Sequence, residues 1–173
     1  MAYVEIPPNS SGVDAGTLVT NSSNTQDWTF LSGIVGDNIG LLYLKGEIIA
    51  GASTQTFTIQ PNGSAPTACD CNALNVNTAG VTASNLGNQI YLGQVFTNTR
   101  LMFRAEFDLK KSRNRIWTCR TQTVNGANAY GEIIFCNWRD TSTAVTSIAI
   151  HGSAANSVQA SSTVIYWTSG VTA

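Results

Sequence analysis

Hydrophobic and polar residues alternate along several short segments of this chain. The clearest segment is 101–109, L-M-F-R-A-E-F-D-L, in which Leu101, Phe103 and the apolar residues at every second position after them share one face. Successive side chains of a strand point to opposite sides, so this period predicts a strand with one buried and one solvated side. Half-buried strands of this kind are typical of antiparallel sheets.

Further segments of this kind are separated by turn residues and predict about eight or nine strands. They lie at 28–31, 39–50, 54–60, 89–96, 101–109, 115–123, 130–138, 143–151 and 162–167. The chain shows no convincing amphipathic helix and no internal repeat of fixed period. Short, regularly spaced strands then predict an all-β fold, an antiparallel β-sandwich or jelly roll.

Two stretches depart from the strand pattern. Residues 1–26 are polar and turn-rich, and Ile6-Pro7-Pro8 favours an extended conformation. We therefore expect an extended N-terminal arm at 1–26, either a loose tail or a segment lying on a neighbouring subunit, and a jelly-roll β-sandwich domain at 27–173. Residues 63–87 predict a long irregular loop, and a loop of that length usually has a function or covers something.

Composition narrows the classes of partner. Charged residues make up 11% of the chain, against about 25% in ordinary domains, and the net charge is −1. This balance argues against a general electrostatic attraction to nucleic acid or to a membrane. No run of apolar residues is long enough to span a bilayer, and the first residues lack the pattern of a secretory signal. We expect neither nucleic acid nor membrane as a partner.

The four cysteines predict no cofactor. Cys69 and Cys71 form a C-D-C pair, and Cys119 and Cys136 stand far apart. Zinc sites favour pairs separated by two to four residues, so a zinc site fits poorly. Two disulfides would fit an exported protein, for which no signal is present. We expect four free, mostly buried thiols, with Cys119 and Cys136 on strands.

Groups that could carry catalysis are few. The single histidine, His151, has Asp140 and Ser153 near it in sequence, but the serine lacks a nucleophile context. Glu106 and Asp108 share the polar side of one strand, which favours solvated carboxylates over a glycosidase pair, and Glu132 is a third carboxylate candidate. Asp70 lies between two cysteines without a calcium-loop pattern. The sequence therefore predicts a protein that is not an enzyme.

The densest charge lies in K-K-S-R-N-R at 110–115. Its cations, Lys110, Lys111, Arg113 and Arg115, fall at a turn between two predicted strands. Charged tips of this kind either stay solvated and protect a sheet edge or dock onto an acidic partner surface. One tip is too small a footprint for nucleic acid.

Two stretches resemble the jelly-roll virion proteins of tailed bacteriophages. They are Y-L-K-G-E-I-I-A…T-F-T-I-Q-P-N-G-S at 43–64 and V-T-S-I-A-I-H-G-S-A-A-N-S-V-Q-A-S-S-T-V-I-Y-W at 145–167. The matching segments cover about a quarter of the chain and encode strands and turns rather than a site. Ser161 stands where that pattern often has glycine. The resemblance implies a capsid decoration (cement) protein, a homotrimer that clamps neighbouring major capsid subunits and carries no catalytic residues.

We therefore expect a structural protein on the outside of a phage capsid, assembled in the host cytoplasm. The expected capsid-binding residues are Tyr3, Val4, Ile6 and Pro7 of the arm and Lys110, Lys111, Arg113 and Arg115 of the basic tip. Contacts between the three subunits are expected on sheet faces rich in Thr, Asn and Val, with Trp or Phe at the centre. The alternative is a tail or fibre adhesin that binds a host-surface glycan, for which exposed Trp and Tyr would be the platforms.

Overall fold

The structure is a computed structural model that describes residues 16–169 except 52, 98, 112, 126 and 127. These residues form twelve strands and one helical turn. The elements are β1 (Thr17–Thr20), β2 (Asp27–Ser32), α1 (Gly36–Ile39), β3 (Leu41–Ile49), β4 (Gln55–Pro61), β5 (Cys69–Asn77), β6 (Gly80–Gly87), β7 (Ile90–Val95), β8 (Arg100–Asp108), β9 (Arg115–Asn125), β10 (Asn128–Trp138), β11 (Ser147–Gly152) and β12 (Thr163–Ser169).

The strands form two antiparallel sheets packed face to face, so the predicted all-β sandwich is confirmed. The large sheet has eight strands in the order β1-β12-β3-β8-β9-β10-β5-β6, and the small sheet has four in the order β2-β11-β4-β7. Most connections carry the chain from one sheet to the other, whereas β5–β6 and β8–β9–β10 are hairpins between neighbours. Among the described residues, no helix is long and apolar enough to cross a membrane.

The alternation along β8 builds the core as the sequence predicts. Leu101, Phe103 and Phe107 are buried between the sheets, while Met102 and Arg104 are exposed on the other side. The Phe107 and Trp117 rings meet edge to face with their centroids 5.5 Å apart. The indole Nε1–H of Trp117 donates to the carbonyl of Tyr91 at 2.9 Å, which ties the large sheet to β7 of the small sheet.

One glycine in the middle of β3 allows this packing. Gly46 lies directly opposite Phe103 of β8, and a Cβ at Gly46 would lie 2.6 Å from the Phe103 ring and from the carbonyl oxygen of Thr163. Any larger residue would displace the ring, so the close approach of β12, β3 and β8 depends on the missing side chain.

The structure corrects the prediction of a long loop at 63–87. Most of that segment is the β5–β6 hairpin. Its inward positions on β5 include Cys69, Cys71 and Ala73, which are small residues, and both strands are rich in Asn, Ser and Thr. The alternation is therefore present without the large apolar residues that usually reveal it.

Two further expectations change. Cys71 and Cys136, directly opposite each other on β5 and β10, form a disulfide, so the prediction of four free thiols is wrong for this pair. Cys69 and Cys119 are free and buried, as expected. Residues 17–20 of the expected arm form β1, which pairs with β12 at the edge of the large sheet, whereas residues 1–15 lie outside the described residues.

Candidate functional site

The outer faces of the two sheets differ in character. The outer face of the small sheet is polar, with Thr29, Thr56, Thr58, Gln60 and the His151–Asp27 pair. The outer face of the large sheet holds every large apolar side chain that is exposed among the described residues except Val35: Leu18, Leu74, Val76, Val81, Met102, Ile116 and Phe135. Grouped exposed apolar side chains on one face mark an interaction surface.

Four of these residues form what we call the apolar patch: Leu74, Val76, Val81 and Phe135. Val76 and Val81 are directly opposite each other on β5 and β6, and Phe135 lies on β10, the next strand inward. The exposed fractions are 64% for Val81 and 49% for Phe135. The patch therefore occupies the end of the large sheet at which β6 is the last strand.

The edge strand beside the patch has little of the usual protection, because its one bulge, at Leu86, lies at the end of β6 away from Val81. β6 reads G-V-T-A-S-N-L-G, with no charged residue and no proline, and most of its residues are exposed. Proteins normally blunt a free sheet edge with lysine, proline, a bulge or a very short strand. The opposite edge, β1, has only four residues. The part of the β6 edge beside Val81 is thus open to contact with another chain.

A second feature of the same face is a row of three cations, the cationic row. Lys45 of β3 lies directly opposite Arg104 of β8, and Arg104 lies directly opposite Arg120 of β9. All three side chains are exposed. Like charges directly opposite each other in a sheet are destabilising unless other groups compensate them.

The cationic row lies in a groove of about 500 Å³ on the outer face of the large sheet. Around the three cations the groove is lined by Gly46, Glu47, Met102, Phe103, Thr121, Gln122, Thr163 and Ile165. The volume falls within the range of ligand sites, roughly 300–1,000 Å³.

Two cations of the row, Lys45 and Arg104, make no ion pair with another described residue. The nearest acidic neighbour in the groove, Glu47, is paired with Arg100 at 2.6 Å. Within the described part of the chain, no carboxylate lies within ion-pair distance of Lys45 or Arg104. The groove therefore presents cationic groups that an anionic ligand can reach.

The basic tip is largely engaged within the chain. Lys111 pairs with Asp37 at 3.4 Å, and its backbone N–H donates to the same carboxylate at 2.7 Å, which lowers the pKa of Asp37. Arg113 pairs with Asp108 at 2.6 Å. The backbone N–H of Lys110 also donates to Asp108. The tip stays exposed at Lys111 and Arg113, but its charge is partly balanced by these two carboxylates.

Arg115, by contrast, is a core residue. Its side chain is fully buried, donates to the carbonyl oxygens of Leu109, Asp140 and Thr143, and stacks on the Trp138 ring. Burial lowers the pKa of its guanidinium. A buried side chain cannot contact a capsid, so Arg115 leaves the set of expected docking residues. The four expected docking residues of the arm, Tyr3, Val4, Ile6 and Pro7, lie outside the described residues.

His151, Asp140 and Ser153, which lie near one another in the sequence, each bond to a different group in the structure. His151 Nδ1 lies 2.6 Å from Asp27 rather than near Asp140. Asp140 instead accepts from Ser142 and Thr143, which holds the pKa of its carboxyl well below its usual range. The Ser153 hydroxyl donates to Gln55. Among the described residues, these groups form no nucleophile–base pair.

The carboxylates do not pair across a cleft either. Glu106 is exposed on the outer face of β8, whereas Glu132 is buried between the sheets on β10. Glu132 accepts from the Gln94 backbone N–H at 3.0 Å and from the hydroxyls of Thr121 and Tyr130. Burial raises the pKa of Glu132 and raises that of Tyr130 to about 12.

A metal centre finds no support in the described ranges. Asp70 pairs with Arg139 at 3.1 Å, and no group of three or more metal-ligating side chains occurs in the part of the chain that is described. Burial raises the pKa of Cys69 to about 11 and also raises that of Cys119, so both thiols stay protonated.

Sequence reasoning missed the cationic row. Its members, Lys45, Arg104 and Arg120, are far apart along the chain, and the sequence around each predicts only an ordinary exposed charge on a strand. Only the register of β3, β8 and β9 brings them side by side. The alternation along 101–109 already placed Arg104 on the polar face, but no signal in the sequence fixes which cations lie opposite it.

The comparisons with known proteins find only distant likenesses. No family model matches the chain, and none of the curated proteins does. The chain is similar to CG-16, a homodimeric agglutinin from chicken liver, at 6% identity and a TM-score of 0.30, over 83% of this chain and 96% of that one. It is similar to a toad ovary galectin in complex with thio-digalactose at 9% identity and a TM-score of 0.29, over 82% and 98% of the two chains. It is similar to the structure of the infectious bursal disease virus Gx strain at 11% identity and a TM-score of 0.19, over 97% of this chain and 46% of that one. Likenesses of this size carry no argument about what the present chain binds.

Proposed function

We propose that this protein is a structural virion protein that decorates the outside of a phage capsid as a homotrimer and stabilises it. The observation that carries the proposal is the apolar patch beside the uncharged β6 edge. The resemblance of 43–64 and 145–167 to phage virion proteins supplies the class of assembly. The proposal includes no catalysis and no cofactor.

The occupant proposed for the apolar patch is a second copy of the chain. Leu74, Val76, Val81 and Phe135 carry no charge, and neither does β6, so the surface offers nothing to select a charged partner. Apolar contacts with an aromatic residue at the centre are typical of interfaces between identical subunits. Three copies around a threefold axis would remove the three patches from water together.

The capsid contact is proposed for the exposed part of the basic tip and for the arm. Lys110, Lys111 and Arg113 would meet acidic groups of the major capsid protein, and Tyr3, Val4, Ile6 and Pro7 would add apolar contacts. A trimer presents three copies of each contact, and such multivalency makes weak individual contacts strong together. Neighbouring capsid subunits would then be held against expansion.

Analytical ultracentrifugation of the full chain tests the assembly. We expect a species of three times the 18.4 kDa chain mass. Val81→Lys and, as a second variant, Val76→Lys should give the monomer, because a charge in a desolvated apolar contact is costly. Thr29→Lys is the matched control, since Thr29 is also exposed on an edge strand but lies on the polar face of the small sheet.

The outcomes separate cleanly. A wild-type monomer at tens of micromolar, or a trimer that survives both valine variants while circular dichroism shows them folded, would refute the role of the patch. For the decoration role, capsids from which tails have been removed should retain the protein. Loss of the protein with the tails would favour the alternative, a tail or fibre adhesin that binds a host glycan.

A further inference from the structure

We propose that the β5–β6 hairpin, residues 69–87, is a redox-controlled flap. The disulfide between Cys71 and Cys136 holds the flap on the large sheet, and reduction of this bond releases the flap while the rest of the sandwich stays folded. The flap is a property of the fold and goes beyond the proposed function. Its effect on assembly, given below, rests on that function.

The flap lies at the end of the large sheet that the small sheet covers least. β7, the last strand of the small sheet, packs over β9 and β10: the Trp117 indole of β9 donates to the Tyr91 carbonyl, and the Gln94 backbone N–H donates to Glu132 of β10. β5 and β6 continue beyond β10. No residue of β6 is buried, and Leu86 is the one apolar residue of β6 that packs against the core.

The side chains that attach the flap to its neighbours are few. The residues that β5 buries are small and offer little apolar surface: Cys69, Cys71 and Ala73. The Tyr130 hydroxyl donates to the Asn75 side chain at 3.0 Å. The Asp70–Arg139 ion pair is exposed at both partners and therefore contributes little. Backbone hydrogen bonds to β10 add a modest net stabilisation, because water offers the same bonds to a released strand.

The disulfide joins this weakly attached hairpin to the interior of the sheet. Cys71 of β5 lies directly opposite Cys136 of β10, and β10 is paired on its other side with β9. The covalent bond keeps β5 in register on β10 when the weaker contacts open locally. A dithiol reductant transfers two electrons and two protons to the bond, which leaves two thiols, and the dithiol itself closes to a disulfide. Without the bond, the flap opens as a local unit of low stability.

Release of the flap removes the apolar patch. Leu74, Val76 and Val81 lie on the flap, whereas Phe135 lies on β10. Under the proposed function, the oxidised chain therefore self-associates through the patch and the reduced chain does not. The fold would in this way make assembly depend on the redox state of one bond.

Alkylation of the full native chain tests the flap, because its cysteines lie at different places in the sheet. Protein reduced with dithiothreitol is labelled with iodoacetamide without denaturant, and mass spectrometry identifies the labelled cysteines. We expect Cys69, Cys71 and Cys136 to be labelled about tenfold faster than Cys119, or more. Cys119 is the internal control, since it is buried on β9 between β8 and β10. In the oxidised protein, Cys69 should be as slow as Cys119.

A variant removes the bond without a reductant. In Cys71→Ala, hydrogen exchange of the backbone amides of 69–87 should accelerate about tenfold or more, while the amides of β3 and β8 keep the wild-type rates. The matched control is Cys119→Ala, which removes another buried thiol from the same sheet but keeps the disulfide. The amides of the flap should exchange as slowly in this control as in the wild type.

Three results would overturn the flap: no disulfide in the air-oxidised protein, a flap that stays protected after the bond is reduced or removed, or equal acceleration at all cysteines and strands. The last result would mean that the whole sandwich opens. The flap and the proposed function fail in different measurements. An oxidised monomer in sedimentation would refute the trimer and leave the labelling result intact, whereas a flap that stays closed on reduction would leave the trimer intact.

Discussion

The guanidinium carbon of Arg115 lies 4.4 Å from the centroid of the Trp138 ring, inside the sandwich. Arg115 also donates to the carbonyls of Asp140 and Thr143, which belong to the segment that joins β10 to β11. A residue at the base of an exposed basic turn thus fixes the connection between β10 and β11. Its charge is satisfied by carbonyl oxygens and an aromatic face rather than by a partner protein.

We predict that Arg115→Met destabilises the fold strongly without a separate effect on docking. The change leaves the buried carbonyl of Leu109 and the half-buried carbonyls of Asp140 and Thr143 without this donor. An unsatisfied buried carbonyl costs about 1–3 kcal/mol, so urea unfolding should show a loss of roughly 2–4 kcal/mol in total. Arg139→Met is the control, because the Arg139 side chain is 51% exposed in its pair with Asp70 and such pairs contribute little. Equal, small losses in the two variants would contradict this role.

Gly46 provides a test of the packing between β3 and β8. Gly46→Ala should cost about 1–3 kcal/mol, because the new methyl group would overlap the Phe103 ring and the Thr163 carbonyl oxygen. Gly131→Ala is a matched change within a strand of the same sheet, where a Cβ would lie 3.3 Å from the Thr121 carbonyl oxygen. The midpoint temperature of thermal unfolding for Gly46→Ala should be well below that of Gly131→Ala. The reverse order would contradict the packing described.

The cysteines predict a definite count of reactive thiols. At pH 8 we expect no fast labelling of the native protein, because Cys69 and Cys119 are buried and burial raises the pKa of both. Denaturant without reductant should expose two thiols, and reductant should raise the count to four. Reduction should also lower stability by up to roughly 4 kcal/mol, since the Cys71–Cys136 bond closes a loop of 65 residues. Four thiols in the denatured, unreduced chain would show that the bond is absent.

Glu132 predicts a specific pH dependence of stability. Burial raises its pKa in the folded state above the ordinary value of 4.5. As pH rises above that value, the unfolded chain releases the proton while the folded chain still holds it, so stability falls until the folded pKa is passed. Glu132→Gln should therefore gain stability relative to the wild type as the pH rises above 4.5. The prediction is contradicted if the difference between the urea midpoints of the two proteins does not change with pH over this range.

The strands with large apolar residues at every second position were predictable from the sequence. The strands β4, β7, β8 and β9 begin and end within one or two residues of their expected bounds. The reason is that the sequence itself shows the alternation of apolar and polar residues that buries Phe57 and Phe103. The expected strand at 39–50 begins two residues later at Leu41, since Gly40 adopts a φ of 73° after the α1 turn.

The parts that escaped prediction depend on tertiary context. The strands β5 and β6 were not predicted because the inward residues Cys69, Cys71 and Ala73 bury little apolar surface. The apolar patch could not be predicted without the sheet order, which puts β6 at the edge of the large sheet. The basic tip was located correctly in sequence, but Arg115 alternates inward with Trp117 whereas Arg113 stays outside. Charge alone does not reveal which cation of a cluster becomes a core residue, nor which distant cations share a register position.

Capsid stabilisation tests the central claim most directly. If the chain decorates a phage capsid as proposed, capsids of that phage purified without it should take up the added chain to a saturating number that is a multiple of three. They should then release DNA at a higher temperature. The Val81→Lys variant should be taken up less than the Thr29→Lys variant. Failure of the wild-type chain to sediment with the capsids, or uptake that leaves the temperature of DNA release unchanged, would contradict the account.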